Sequence, residues 1–168
     1  NAPESDETPW TTIGRDFSVD FGQCLISSSD AKVYTLNSNS SVFLNNVKVQ
    51  TVATGDTEFL TLTDVNMSVN SIQVNKADTY IAMIGTKIAT SPIIQVYSLS
   101  TGLRVYENTE VKYTGNLGAG IQIGYKWSND SETLAFWSDR TPIQNTENNN
   151  EPVLTFVSTT GFGEVFST

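Results

Sequence analysis

The chain has 168 residues, 18 Asp plus Glu against 9 Lys plus Arg, a formal net charge of −9, one cysteine and no histidine. This length suits a single domain, which buries about 70% of its unfolded surface and needs no staples. Without an imidazole, Ser-His-Asp, Cys-His and histidine-metal chemistry are excluded, and the lone Cys24 excludes an internal disulfide, a zinc knuckle and a Cys-x-x-Cys redox pair.

The sequence pI near 4.3 and the scatter of the basic residues argue against direct binding of nucleic acid. No apolar run approaches the roughly 18 residues needed to span a membrane, and the first 30 residues lack a signal-peptide pattern. The start at Asn1 is read as a mature product or an excised domain.

Residues 1–9 hold two prolines and three acids with no aliphatic larger than alanine, so an acidic linker is expected there and a single β domain over 10–168. From Trp10 onward the text is Val, Ile, Thr, Tyr and Phe broken at short intervals by Gly, Asn, Asp and Ser, which is the composition of strands and turns. Cys24, between Gln23 and Leu25-Ile26, reads as a small buried hydrophobe rather than a reactive thiol.

Two stretches alternate with period two. Val65, Met67 and Val69 oppose Asn66, Ser68 and Asn70, and Ile121, Ile123, Tyr125 and Trp127 oppose Gln122, Gly124 and Lys126. After Val69 the apolar phase moves to Ile72 and Val74, which predicts a β-bulge near Ser71 that keeps one face inward. The window from Asn75 to Gly85 fits a two-turn helix or a buried strand over 79–84, and the strand is preferred because its neighbours are strands. Turns are expected at Ser28-Ser29-Asp30, Thr54-Gly55-Asp56, Thr101-Gly102, Gly118-Ala119-Gly120, Ser128-Asn129-Asp130 and Thr160-Gly161, with an exposed loop over 141–152.

Without histidine, carboxylate pairs are the acid-base option left to such a chain. The pairs Asp130 with Glu132 and Asp16 with Asp20 read as solvated turn and rim residues, because nothing nearby raises a pKa. The Asn and Glu of 145–151 offer oxygens to calcium, but no Asp-x-Asp-x-Asp-Gly pattern orders them, and no cofactor is expected. Gly118, Gly120 and Gly124 miss the dinucleotide spacing, and a strand follows them where a helix is required. The sequons at Asn39, Asn66 and Asn129 decide little.

The aromatic group Tyr125, Trp127, Phe136 and Trp137 falls on two consecutive strands, with Tyr125 and Trp127 in the core phase. Adjacent Phe136 and Trp137 must face opposite sides, so one of them meets the surface or a partner. Together with Asn129, Asp130, Asp139, Asn148 and Asn149 they form the candidate partner-binding set.

Laying 33–43 over 96–106 preserves every large apolar position of the first segment, and a weaker copy runs from Phe156 through Thr160-Gly161 to Phe166. With the preceding segments 75–82 and 128–135, this strand, Thr-Gly turn, strand pattern resembles blades of a WD40-like β-propeller. A propeller needs at least four blades, however, and three units use the chain. From Gly118 to Pro142, a glycine turn, a strand ending Tyr-Lys-Trp, a polar turn and Phe136-Trp137-Ser138-Asp139 resemble the protruding domain of nodavirus-like capsid proteins. That resemblance implies a projection that self-associates on a virion surface and contacts a host-cell protein or glycan.

The fold expected is all-β, an antiparallel β-sandwich or jelly-roll-like module, with a partial β-propeller as the alternative. The function expected is non-enzymatic recognition and assembly at an extracellular or virion surface. The alternative is a propeller fragment that scaffolds protein contacts. Radial four-stranded blades would favour the propeller, and two packed sheets the module.

Overall fold

The computed structural model describes residues 23–38, 46–87, 91–111, 124–138 and 153–166. The expected linker 1–9, the Asp16 and Asp20 pair, the Asn39 sequon, the strand residues Ile121 and Ile123, and the loop 141–152 lie outside the described residues, as does the side chain of Cys24.

Twelve strands are present and no helix among the described residues. They are β1 (Gln23–Ser28), β2 (Lys32–Ser38), β3 (Asn46–Thr51), β4 (Thr57–Thr61), β5 (Ser68–Val74), β6 (Tyr80–Lys87), β7 (Ser91–Ser98), β8 (Arg104–Asn108), β9 (Tyr125–Trp127), β10 (Thr133–Ser138), β11 (Val153–Ser158) and β12 (Glu164–Phe166). They form three four-stranded antiparallel meanders, β1 to β4, β5 to β8 and β9 to β12, each in sequence order. The all-β antiparallel expectation holds, and the arrangement is that of consecutive propeller blades rather than the two packed sheets of a sandwich. The window 79–84 lies in strand β6 and not in a helix.

The three sheets repeat in register. In each, the third strand turns into the fourth through a hairpin closed by a main-chain bond, from Thr51 N to Asp56 O, Ser98 N to Leu103 O and Ser158 N to Gly163 O. The Thr-Gly dipeptides at 54–55, 101–102 and 160–161 all fall in these hairpins, and Gly55, Gly102 and Gly161 all have positive φ. The segment equivalent to 96–106 therefore begins at Val49, not at Val33: the overlay of 33–43 matched a second strand to a third one. Its third copy, from Phe156 to Phe166, is a true equivalent.

The first hairpins repeat as well. Ser29, Asn75 and Ser128 open them, and each side chain accepts the main-chain N–H across the turn, from Lys32, Tyr80 and Thr133. Asp78 and Ser131 occupy the same left-handed position in the second and third of these turns. Asn and Ser suit such sites because a short polar side chain replaces a missing backbone partner.

Two apolar clusters lie between the sheets. One joins the first sheet to the second through Leu36, Val47, Met67, Ile81 and Met83, and the other joins the second to the third through Ile84, Ile94, Trp127, Leu134 and Phe136. The second sheet is thus covered on both faces, and Ile81–Gly85 and Pro92–Tyr97 are buried at every position. The outer sheets keep one wetter face, as in β10 and β11, where buried and half-buried residues alternate. The pairing of β5 with β6 shifts register between Val69 and Ser71, so the expected bulge is present, and Val69, Ile72 and Val74 all enter the first cluster.

Gly102 carries a double requirement. Its φ is +71°, and a Cβ would fall 2.2 Å from the carbonyl oxygen of Thr61 at the end of β4. Gly161 has φ +74° with nothing within 4 Å. Gly161→Ala is expected to cost about 1–2 kcal/mol from the left-handed backbone alone. Gly102→Ala adds overpacking against a fixed carbonyl and should cost roughly 3 kcal/mol or more. Urea unfolding midpoints of the two variants measure this order, and equal losses would contradict it.

Candidate functional site

The inner strand of each sheet is its first, and β5 packs between β1 and β9. An inner edge strand offers backbone groups that no fifth strand pairs. Side chains of the neighbouring inner strands fill this need. Ser27 Oγ accepts the N–H of Val74 (2.9 Å), the Gln73 amide donates to the carbonyl of Tyr125 (3.1 Å), and the Trp127 indole N–H donates to the carbonyl of Gln73 (3.1 Å). Ser71 and Tyr125 hydroxyls meet at 2.9 Å across the same seam.

The turns at the end of these strands interlock in the same sense. The Tyr34 hydroxyl donates to Asp78 Oδ1 (2.9 Å), tying the first sheet to the second, and the Ala77 N–H donates to Ser131 Oγ (2.9 Å), tying the second to the third. Asp78 and Ser131 thus reach back from equivalent positions. Phe162, itself at positive φ, sits between Tyr80 and Tyr106 of the second sheet, with ring centroids at 5.3 and 6.3 Å.

Where the three first hairpins converge, a groove of about 270 Å³ opens. Its wall comes from Ser28 to Asp30 of the first sheet, Gln73, Val74 and Lys76 of the second, and Lys126 to Asn129 of the third. Two lysines and one aspartate line it, so its local charge is positive in a chain of net −9. Lys76 Nζ lies 3.5 Å from Asp30 Oδ2 with both side chains well exposed, a pair worth about 0–1 kcal/mol and free to exchange partners.

The candidate residues read from sequence are divided by this geometry. Asn129 and Asp130 sit exposed in the turn from β9 to β10, and Asn129 lines the groove. Phe136 is fully buried in the second cluster and offers nothing to a partner, whereas Trp137, on the opposite face of β10, is half-buried. Asp139, Asn148 and Asn149 lie outside the described residues. Tyr125 and Trp127 are core, as their phase required. The groove's Gln73, Lys76 and Lys126 escaped the sequence reading, although Asn75 and Ser128 opening similar turns was the signal that could have located them.

The carboxylates have little acid-base reach. Asp130 accepts the Ser128 hydroxyl and the N–H of Glu132, which hold its carboxyl below the usual range. Asn66, in one sequon, is half-buried, and its Oδ1 accepts from fully buried Gln95 (2.8 Å). Among the described residues no group of three or more Cys, Asp or Glu could hold a metal ion.

No protein-family model matches the chain, and no curated protein matches it in sequence. Solved structures do. The β-propeller domain of the trilobed protease from Pyrococcus furiosus, described as having an open velcro topology, aligns with a TM-score of 0.54 at 11% identity over 89% of this chain and 44% of that chain. A prolyl endopeptidase structure aligns with a TM-score of 0.55 at 12% identity over 80% of this chain and 20% of that one. Hydrazine synthase from Kuenenia stuttgartiensis aligns with a TM-score of 0.50 at 10% identity over 84% and 40%. The chain spans less than half the length of each of these proteins. The likeness at such identity concerns the fold alone, and the fold of the described residues is three consecutive β-propeller blades. The resemblance of 118–142 to nodavirus-like protruding domains finds no support in these neighbours.

Three tyrosines report on the seams. Burial raises the Tyr34 phenol well above its ordinary value, with the Asp78 hydrogen bond adding to it, and burial does the same to Tyr125. Burial pushes Tyr97 up to about 12. Because the folded values lie above the unfolded one near 10, their stabilising contribution is complete below about pH 10 and is lost as pH rises further. Stability should therefore fall steeply between about pH 10 and 12, with tyrosinate absorbance from these three appearing only with unfolding. Titration of all 6 tyrosines before loss of structure would contradict these burial assignments.

Proposed function

We propose that the chain is a non-enzymatic β-propeller recognition module whose contact site is the groove at the end of the three inner strands, and that its ligand is an acidic polypeptide segment. One observation carries this reading. Equivalent hairpins from three sheets, locked to one another through Tyr34–Asp78 and Ala77–Ser131, present Lys76, Lys126 and polar groups around one opening.

Turns held by their neighbours lose little freedom on binding, which favours recognition by a pre-formed site. Two ammonium groups against one carboxylate favour a negatively charged ligand, even though the whole chain is acidic. Asp130, held ionised by its hydrogen bonds, is poorly suited to donate a proton near neutral pH, which supports recognition over acid-base chemistry. The scaffold reading is preferred to a capsid projection because the fold likeness is to propellers.

An array of twelve-residue peptides of graded charge tests it. Acidic peptides should be retained, retention should weaken with salt, and Lys76→Glu combined with Lys126→Glu should lower affinity by about tenfold or more. Preferential capture of basic peptides, or acidic binding indifferent to the double variant, would overturn the reading.

A further inference from the structure

Each sheet ends in an outer strand, β4, β8 or β12, on the side away from the inner seam, and stacking of sheets face to face leaves these edges uncovered. An open edge is a template for another strand unless brevity, charge, proline or a bulge blunts it. β12 has only 3 residues and begins with Glu164. The pairing of β8 shifts register between Val96 and Tyr97, and Arg104 and Glu107 place an ion pair on it (2.9 Å). β4 is different. Its 5 residues, Thr57-Glu58-Phe59-Leu60-Thr61, contain no lysine or proline and are exposed at every position but Leu60. They pair with β3 without a shift, and the one charge, on Glu58, is balanced by Lys32 of the same sheet at 3.3 Å. Phe59 at the centre of the strand is 72% exposed.

The direction of the free main-chain groups follows from the bonds around β3. Thr51 N–H donates to the Asp56 carbonyl across the hairpin, whereas Val52 N–H donates to Ala31 on the other side. Alternation along an antiparallel ladder then turns the N–H and C=O of Glu58 and Leu60 toward β3, and those of Thr57, Phe59 and Thr61 outward. No described residue pairs with the outward groups of Thr57 and Phe59, while the Thr61 carbonyl lies against Gly102.

We propose that β4 pairs antiparallel with β4 of a second copy of this chain, about a two-fold axis at Phe59. The strand is nearly self-complementary. In that register Phe59 meets Phe59, Thr57 meets Thr61 and Glu58 meets Leu60, so aromatic and threonine pairs form and no carboxylate faces another. Phe59 N–H donates to the Phe59 carbonyl of the other copy, and Thr61 N–H to its Thr57 carbonyl, each bond being made twice. Neither bond needs the obstructed Thr61 carbonyl. Moving the axis to Glu58 would set two glutamates face to face, and moving it to Leu60 would set Phe59 opposite Thr61 and call on that carbonyl. Strand addition of this kind takes its affinity from main-chain bonds, and so small a contact makes association reversible and dependent on concentration. The edge is separate from the groove, and its pairing does not depend on what the groove binds.

Sedimentation of the parent across a concentration series should show a reversible rise from 18.4 kDa toward twice that mass. Phe59→Lys, at an exposed site, should keep the parent's cooperative melt and weaken association by about tenfold or more, because like charges then face each other across the axis. Thr61→Pro removes an outward N–H but no main-chain bond to β3, and should weaken association in the same sense. In a Phe59→Cys variant, mild oxidation should join position 59 of one copy to position 59 of the other, whereas Thr57→Cys, out of register with itself, should not self-link. A parent that stays monomeric at the highest concentration would overturn the proposal and leave the edge to a strand of another protein. So would a dimer indifferent to Phe59→Lys, or one that cross-links through position 57 and not through position 59.

Discussion

A sheet of four strands has two edges, and in this stack the inner edge is formed by β1, β5 and β9, whose backbone has no further strand to pair with among the described residues. Unpaired main-chain groups at such a place cost about 1–3 kcal/mol each when water is excluded. The neighbouring inner strands supply the missing partners with side chains: Ser27 for an N–H of β5, Gln73 for a carbonyl of β9 and Trp127 for a carbonyl of β5. Sheet order and sheet spacing follow from that exchange, because each of these bonds forms only when consecutive inner strands lie side by side. The hairpin turns continue the same logic outward through Tyr34 and Asp78, and through Ala77 and Ser131.

Burial follows from position in the stack. The second sheet has neighbours on both faces, so the buried stretches of its two central strands, Ile81–Gly85 and Pro92–Tyr97, are apolar on both, apart from Gln95. That amide is fully buried and satisfied by Asn66, Glu107 and the Tyr97 hydroxyl. Fully bonded, it costs little and ties the segment between β4 and β5 to the outer strands of the second sheet. Glu107 also pairs with Arg104 at 2.9 Å, so the network ends in a charge that is itself balanced.

Much of this was legible in the residues. Alternation at Val65 to Val69, followed by a phase change, marks the bulge, and burial of Val69, Ile72 and Val74 on one side confirms it. Phe136 and Trp137, adjacent on one strand, had to part company, and they do. The repeat was visible but misaligned, because Val33-Tyr34-Thr35-Leu36 imitates Val96-Tyr97-Ser98-Leu99 in apolar content while occupying the second strand. The positive-φ glycines of the Thr-Gly hairpins are a better anchor, since they mark backbone conformation and not hydrophobicity alone. The groove was hidden for a different reason: it is made by residues from three distant hairpins, whose proximity depends on stacking that no local pattern encodes. Phe162 was hidden too, a bulky residue in a left-handed turn that is tolerated because two aromatic rings of the second sheet hold it.

The seam between β5 and β9 is the most direct place to test the account, through the indole proton of Trp127. In the arrangement described, that proton is bonded to the Gln73 carbonyl, so nuclear Overhauser contacts from it to Gln73 and Val74, together with slow exchange with solvent, are the expected result. An indole proton that exchanges as freely as that of an exposed tryptophan, with no contact to β5, would contradict the stacking of the second and third sheets as consecutive blades.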